Sequence, residues 1–122
     1  MILYDSEIKI LEILWKNGPT RAAEIAKILG PQVGWSRNTV YTIIGHLLKK
    51  GLVERSSPKF LCTPTISFED ARNNMIADIK EKFFDNSSYD FIQCMLSSKD
   101  LSDEQIKDLY SIIEKEMRSK NP

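Results

Sequence analysis

A short run of polar side chains has the composition needed to contact the edges of nucleic-acid bases. An arginine fork can grip guanine, and the carboxamide of Asn38 can pair with adenine. Threonine and tyrosine side chains can contact phosphate oxygens or a thymine methyl group. The candidate base-contacting residues are Arg37, Asn38, Thr39, Tyr41 and Thr42. Side chains of these types can act together only if one element presents them on the same face.

A single helix between Ser36 and Gly51 supplies that element. Its apolar residues Val40, Ile43 and Leu47 recur at the spacing of one buried helix face, which leaves the candidate residues outward. Ser36 is a suitable N-cap, and Gly51 is the expected residue just past the C-terminus. The N-terminal part of such a helix meets base edges in helix-turn-helix proteins.

Two shorter helices are predicted before this one, and a hairpin after it. Gly18-Pro19 and Gly30-Pro31 are expected to end the two helices, since proline cannot continue a helix. The predicted helices begin near Asp5 and at Thr20, and the predicted strands are residues 52–55 and 59–63. Val53 and Leu61 are expected to face the core of the hairpin. Three helices followed by a short hairpin is the order of a winged helix-turn-helix.

Basic side chains at the helix end and in the hairpin could neutralise phosphates. These are Lys49, Lys50, Arg55 and Lys59. The chain as a whole has a formal net charge of +0, yet residues 1–60 carry nine Lys/Arg against five Asp/Glu, while residues 61–122 carry eight against twelve. A basic half beside an acidic half favours a polyanion-binding module joined to a separate element. For each single residue, a solvated polar face without a partner stays an alternative.

The C-terminal half is predicted to form three amphipathic helices. Ser67-x-x-Asp70 and Ser102-x-x-Gln105 have the pattern of capping boxes, and a shorter helix is expected at residues 89–96. The apolar positions of the two longer helices are Phe68, Met75, Ile79, Phe83, Ile106, Leu109, Ile113 and Met117. Such stripes pack either into a core within the chain or against a second chain.

Composition excludes several classes of protein. A chain of 122 residues with 42% hydrophobic and 28% charged residues suits one folded domain, or one with an appendage. One histidine and two cysteines are too few for a zinc site or a disulfide framework, and no glycine-rich phosphate loop is present. We therefore expect no enzyme activity, cofactor or metal. No segment has the pattern of a signal peptide or a membrane span, so a cytoplasmic protein is expected.

Two segments around the third helix have a recognisable pattern. They are Gly34-Trp35-Ser36-x-x-Thr39-Val40-x-Thr42-Ile43 and Leu47-x-Lys49-Lys50-Gly51-Leu52-Val53. Both resemble the penicillinase and methicillin-resistance repressor family of bacterial winged-helix regulators. Glu7 to Trp15 are similar to the first helix of that family, and Glu104-x-Ile106-x-x-Leu109 to its last. The likeness covers about residues 5–118 in the same order.

The resemblance implies a mostly α-helical fold, with a winged helix-turn-helix over residues 1–65 and a helical dimerisation region over residues 66–122. It also implies a homodimer that represses transcription by binding a palindromic operator in double-stranded DNA. The eight apolar stripe residues would then hold the two subunits together. A membrane sensor protease is a further partner implied by the family, although Cys94-Met95 stands where relatives are cut at an Asn-Phe bond.

Two other functions stay open. A winged helix can serve as a docking module for another protein, and a DNA-binding member can act as an activator or respond to a ligand. His46 stands where relatives usually carry arginine, and a surface role without switching is the alternative interpretation. Cys62 and Cys94 are expected to be small buried hydrophobic residues rather than a metal or redox sensor.

Overall fold

The computed structural model describes residues 2–120, which contain six helices and a three-stranded antiparallel sheet. The elements are α1 (Asp5–Asn17), β1 (Thr20–Arg21), α2 (Ala22–Val33), α3 (Arg37–Lys49), β2 (Val53–Ser56), β3 (Leu61–Pro64), α4 (Phe68–Phe83), α5 (Ser88–Ser97) and α6 (Asp103–Lys120). The sheet has the order β1-β3-β2, so β3 pairs with both of its neighbours. The described chain is therefore mostly helical, and its first part has the predicted order of three helices and a hairpin.

The core of the first part lies between α1, α2 and α3. Its fully buried aliphatic residues include Ile10, Leu11, Leu14, Ile25, Val40, Ile44 and Leu47. Burying one such side chain stabilises the fold by about 1.5–3 kcal/mol. The predicted inner stripe of α3 is confirmed, because Val40, Ile43 and Leu47 are all buried. The opposite face of α3 is consequently the one left to solvent.

The prediction that the second helix ends at Gly30-Pro31 is wrong. α2 includes Pro31 and continues to Val33. A proline in the last turn removes only one helical hydrogen bond, so the helix can continue past it. Gly34 ends the helix with φ 73° and donates its N–H to Gly30 O at 2.9 Å. The start also differs, since Thr20 lies in β1 and α2 begins at Ala22.

The hairpin turn is wider than predicted, and this shifts which side chains of β3 face inward. Lys59 and Phe60, predicted as strand, have φ of 63° and 51° and belong to the turn. Cys62 is therefore the fully buried residue of β3, whereas Leu61 is only half-buried. The expectation that Leu61 faces the core is wrong, while Val53 on β2 is buried as predicted.

The described residues group into two compact units, residues 2–78 and residues 79–120. The start of α4 belongs to the first unit, because Ala71 is buried there and the Phe68 ring lies edge-on to the Trp15 ring at 5.5 Å. The second unit contains the end of α4 together with α5 and α6. Its predicted capping box is confirmed, since Gln105 N donates to Ser102 Oγ at 3.1 Å and Ser102 N donates to Gln105 Oε1 at 2.9 Å.

Candidate nucleic-acid interface

The outer face of α3 begins with a capped first turn. Ser36 is the N-cap, and its Oγ accepts a hydrogen bond from Thr39 N at 3.2 Å. The Ser36 and Thr39 hydroxyls are also within 3.0 Å of each other. The free N–H groups and positive dipole end of this first turn favour an anion such as a phosphate. Thr39 is thus tied to the helix cap, at the end of α3 that suits a phosphate.

α3 also presents Asn38, in its first turn, and Thr42, one turn later, to solvent. Both side chains are exposed, as the sequence predicts. Thr42 Oγ1 donates to the backbone oxygen of Asn38 at 2.9 Å, so the hydroxyl proton of Thr42 is already used. Its oxygen can still accept a hydrogen bond, and its methyl group can contact thymine. The carboxamide of Asn38 offers both donors and an acceptor, which is what pairing with adenine requires.

Arg37 and Tyr41 form a pair one turn apart on α3. Arg37 Nε and Nη2 donate to Tyr41 Oη at 3.3 and 3.0 Å. The guanidinium carbon lies 5.3 Å from the centroid of the Tyr41 ring, within cation–π distance. Arg37 is exposed, whereas Tyr41 is half-buried because its ring lies 5.7 Å from that of Phe60 in the hairpin turn.

A groove lies between α2, α3 and the hairpin, with a volume of about 590 Å³. Its charged lining residues are Arg21, Lys27, Arg37, Arg55, Lys59 and Glu24. Five cations against one carboxylate give this groove a positive potential, which favours polyanions over other ligands. Arg37, Tyr41, Arg55 and Lys59 were singled out from the sequence, and the fold brings all four to this groove.

Arg21 and Lys27 line the groove although no sequence motif marks them. Their only signal in the sequence is the basic excess of residues 1–60. The first helix of a helix-turn-helix crosses the phosphate backbone of DNA. That geometry predicts phosphate contacts for basic side chains near α2. The actual position of Arg21 on β1 depends on strand pairing with Leu61, which local pattern does not reveal.

The two lysines at the end of α3 have different surroundings. Lys49 is exposed, as expected for a phosphate contact. Lys50 Nζ instead lies 2.7 Å from Glu7 Oε1 and donates to Ile2 O at 2.9 Å. The same ammonium lies 4.8 Å from the centroid of the Tyr4 ring. Lys50 therefore holds the end of α3 to the N-terminal segment, a placement that differs from the expected phosphate contact.

The histidine and the cysteines have ordinary environments. His46 is exposed on α3. Cys62 is buried as predicted, whereas the same prediction for Cys94 is wrong because Cys94 is exposed on α5. Burial raises the pKa of the Cys62 thiol, and the Arg55 guanidinium opposes this shift. Within residues 2–120, no cluster of His, Cys, Asp or Glu side chains is arranged to hold a metal ion.

Most of the predicted apolar stripe is exposed in the isolated chain. Phe68, Ile79, Phe83, Ile106, Ile113 and Met117 are exposed, while Met75 and Leu109 are half-buried. Phe68 and Met75 have contacts inside the first compact unit: Phe68 meets Trp15, and Leu3 N donates to Met75 Sδ at 3.4 Å. None of the helices described is both long and apolar enough to cross a membrane.

Comparison with known proteins agrees with this arrangement. The sequence model of the penicillinase repressor family matches residues 3–115. The penicillinase repressor of Bacillus licheniformis is 26% identical over 118 residues, which cover 95% of this chain and 92% of that protein. The methicillin resistance regulatory protein MecI of Staphylococcus aureus strain N315 is 23% identical over 112 residues, 90% of this chain and 91% of the relative.

The fold of the first part is also similar to that of a solved structure. This is the solution structure of the monomeric form of Bacillus licheniformis BlaI in complex with the blaP half-operator. The match has 28% sequence identity and a TM-score of 0.50, and it covers 57% of this chain and 88% of the other. The three helices and the hairpin therefore form a winged helix-turn-helix.

Proposed function

The chain belongs to the penicillinase repressor family, and on that premise we propose that it represses transcription by binding operator DNA. The observation that carries the proposal is the groove between α2, α3 and the hairpin, in which five cations face a single carboxylate. The similarity to a BlaI form that is described in complex with a half-operator supports the same surface. This proposal implies that double-stranded DNA is the partner of the protein and that the protein is cytoplasmic.

α3 is the proposed recognition helix, with its N-terminal half in the major groove. Arg37 grips a guanine edge, Asn38 pairs with adenine, and Thr42 contacts a thymine methyl. Thr39 takes a phosphate at the helix N-terminus. Arg55, Lys59 and Lys49 contact phosphates on either side of the groove. We include Arg21 and Lys27 in the proposed phosphate contacts because both line the groove. Lys50 is left out because its ammonium is held by Glu7.

A homodimer on a palindromic operator is the finer part of the proposal. Apolar side chains of the second unit, including Ile92, Met95, Ile106, Ile113 and Met117, are exposed in the single chain. This many exposed apolar side chains favour an interaction site, and a second copy of the chain can cover them. Two recognition helices would then lie about 34 Å apart, one turn of DNA. The dimerisation region is proposed to be residues 66–122.

A membrane sensor protease is a further proposed partner, on the family resemblance alone. Cys94 and Met95, at the position aligned with the cleaved bond of relatives, are both exposed on α5. Their side chains are not the asparagine and phenylalanine cut in relatives, so the proposal does not extend to cleavage at this bond.

The proposed function is tested by fluorescence anisotropy with labelled duplexes. A sequence selected from a random duplex pool by the purified protein is compared with a scrambled duplex across a salt series. We expect tight, sequence-dependent binding with two subunits per selected duplex. Equal, weak and steeply salt-dependent binding to both would contradict the proposal and favour the docking module. A reporter gene behind the selected site separates a repressor, which lowers expression, from an activator, which raises it.

A further inference from the structure

Four side chains form a continuous series from the recognition helix to the hairpin, with an arginine at each end and two aromatic rings between them. Arg37 donates to Tyr41 Oη at 3.0 Å, and the Tyr41 ring lies 5.7 Å from the Phe60 ring at an angle of 53°. On the other side of Phe60, the guanidinium carbon of Arg55 lies 3.9 Å from the ring centroid. We call Arg37, Tyr41, Phe60 and Arg55 the cation–aromatic ladder. It joins the only two arginines that α3 and β2 bring to the basic groove.

Backbone hydrogen bonds at and next to Phe60 hold this residue of the ladder in place. Its backbone has φ 51°, in the left-handed region, and its carbonyl accepts a hydrogen bond from Ala22 N at 3.0 Å. This bond ties the hairpin turn to the first residue of α2. Directly after Phe60, Leu61 pairs with Ser56 of β2 and with Arg21 of β1. The ring is therefore attached to a backbone that is held from two sides.

The contacts of the ladder leave the arginine donors available. A guanidinium has five N–H donors, and Tyr41 accepts from Nε and Nη2 of Arg37. The remaining donors can still form a bidentate contact with a base or a phosphate. Arg55 uses the face of its guanidinium on Phe60, which leaves the edge with its N–H groups unused by this contact. Each arginine is thus restricted in direction without losing its binding edge.

Restriction before binding has a thermodynamic consequence. A free arginine side chain has several rotatable bonds, and ordering it on DNA opposes binding. A side chain that is already held in a suitable direction loses less freedom when the complex forms. The gain in affinity depends on the direction in which the arginine side chain is held. It is therefore larger for a DNA sequence whose base edge lies in that direction than for other sequences.

We propose that Tyr41 and Phe60 are positioning residues, which orient Arg37 and Arg55 for DNA and link the recognition helix to the hairpin. Tyr41 acts through Arg37 and does not itself contact a base, which departs from the role that the sequence pattern predicts for it. This inference rests on the proposed function, because it concerns the same DNA-binding surface. It adds the hairpin turn to the determinants of sequence preference.

The test compares Tyr41→Phe, Arg37→Met and the double variant on the selected and scrambled duplexes. Tyr41→Phe removes the oxygen that accepts from Arg37 and keeps the ring against Phe60. We expect it to weaken binding to the selected duplex by about 2- to 10-fold. Binding to the scrambled duplex and the salt slope should stay unchanged, because the arginine charge remains. In the Arg37→Met background, Tyr41→Phe should have no further effect.

A matched control is Tyr4→Phe, which makes the same chemical change at an exposed tyrosine that lies outside the groove and outside the proposed dimerisation region. It should leave binding to the selected duplex unchanged. The thermal midpoint of each variant is measured in parallel. A loss of affinity that appears on both duplexes together with a lowered midpoint would show a structural role only, and would overturn the inference.

Two other results would also overturn it. If Tyr41→Phe weakens binding equally in the Arg37→Met background, Tyr41 contacts DNA directly. If a folded Tyr41→Phe variant binds the selected duplex like the unchanged protein, the pair has no positioning role. Failure of the unchanged protein to select any duplex would instead overturn the proposed function, and this inference with it.

Phe60 is tested by the coupling between the two arginines. Phe60→Leu removes the ring, while Phe60→Tyr keeps it and checks that the turn tolerates substitution. With the ring present, the fold-change in affinity of the Arg37→Met/Arg55→Met double variant should differ by about 2-fold or more from the product of the two single fold-changes. In the Phe60→Leu background the two effects should multiply. Coupling that persists without the ring would exclude Phe60 from the ladder.

Discussion

At the residue scale, the contrast between Lys49 and Lys50 separates binding from stability. Glu7 is 1% exposed, and its Oε1 accepts hydrogen bonds from both Lys50 Nζ and Tyr4 N. Removing one member of such a pair leaves a buried group without compensation, which is destabilising. Lys49, one position earlier, is exposed. The two neighbouring lysines at this helix end therefore have different surroundings, and we expect Lys50 to act in stability and Lys49 in DNA binding.

We expect Lys50→Met to lower the free energy of unfolding by about 1–3 kcal/mol, less than for a fully buried pair because the Lys50 side chain is 30% exposed. The salt slope of DNA binding should not change. The control Lys49→Met should leave stability within about 0.5 kcal/mol and reduce the salt slope by about one. Urea unfolding and anisotropy titrations measure both quantities. A reduced slope in Lys50→Met would contradict the assignment.

The two cysteine thiols provide a second prediction at this scale. Cys62 is buried and its pKa is raised by burial, so it has little reactive thiolate in the folded protein. Cys94 is exposed on α5. A chromogenic disulfide reagent should titrate one thiol per native chain quickly and the second only in denaturant. Rapid reaction of both thiols in the native state would show that β3 opens readily.

The same shift has a defined sign in the pH dependence of stability. A raised pKa in the folded state means that the contribution of Cys62 is fully present below the unfolded pKa. It is lost as the pH rises through the raised value. Unfolding measured from neutral to alkaline pH should show this loss, and Cys62→Ala should diminish it.

At the element scale, two glycines next to or within α3 have opposite requirements. Gly34 ends α2 with φ 73°, a conformation that is unfavourable for a residue with a Cβ. Gly45 lies inside α3 without a positive φ, and a Cβ added there would meet nothing within 4 Å. Glycine inside a helix is less favourable than alanine by about 0.5–1 kcal/mol. The two positions are a matched pair for the same substitution.

Gly34→Ala should lower the free energy of unfolding by about 1–2 kcal/mol, since it forces a Cβ into the left-handed region. Gly45→Ala should raise it by about 0.5–1 kcal/mol. Denaturant unfolding of both variants checks the signs. If Gly45→Ala were destabilising, the backbone of α3 would have to differ from a regular helix at that point.

The same elements show which features local pattern can predict. The stripe of Val40, Ile43 and Leu47 predicts the outward face of α3, because helical spacing alone decides it. The inward side of β3 could not be predicted, since it depends on the left-handed conformations of Lys59 and Phe60 in the turn.

The contact of Lys50 with Glu7 could not be predicted from the sequence either. Lys49 and Lys50 have the same local context, and the partner that distinguishes them, Glu7, is 43 residues away in sequence. The pairing of Arg37 with Tyr41, by contrast, follows the four-residue spacing of a helix and could have been recognised. Contacts within one element are thus accessible to sequence reasoning, and contacts across the fold are not.

At the scale of the whole molecule, charge and apolar surface are separated along the chain. Residues 1–60 have an excess of basic residues and residues 61–122 an excess of acidic ones, while the total is neutral. The positive potential of the basic groove favours contact with phosphates, whereas the negative charge of residues 61–122 disfavours it. The exposed apolar side chains of α6 lie in the acidic part and suit contact between copies.

Ile113→Asp should dissociate the proposed homodimer, because it places a charge in the middle of the apolar stripe of α6. Affinity for the selected duplex should fall by about 100-fold or more as the second contact is lost, while affinity for half of that duplex stays unchanged. Ser111→Asp introduces the same charge on α6 outside the stripe and should keep the dimer. Sedimentation velocity and anisotropy measure both effects. If the Ile113→Asp variant remained dimeric, the contact between subunits would not include the apolar stripe of α6.

The contact between Glu7 and Lys50 also has an evolutionary consequence. Positions 7 and 50 are subject to one constraint, although 43 residues separate them in sequence. Descendants that lose the acid at position 7 should tend to replace the lysine at position 50 by an apolar residue, whereas arginine and lysine should exchange freely at position 49. Homologues in which positions 7 and 50 change together, and neither changes alone, would be evidence that selection has maintained this contact.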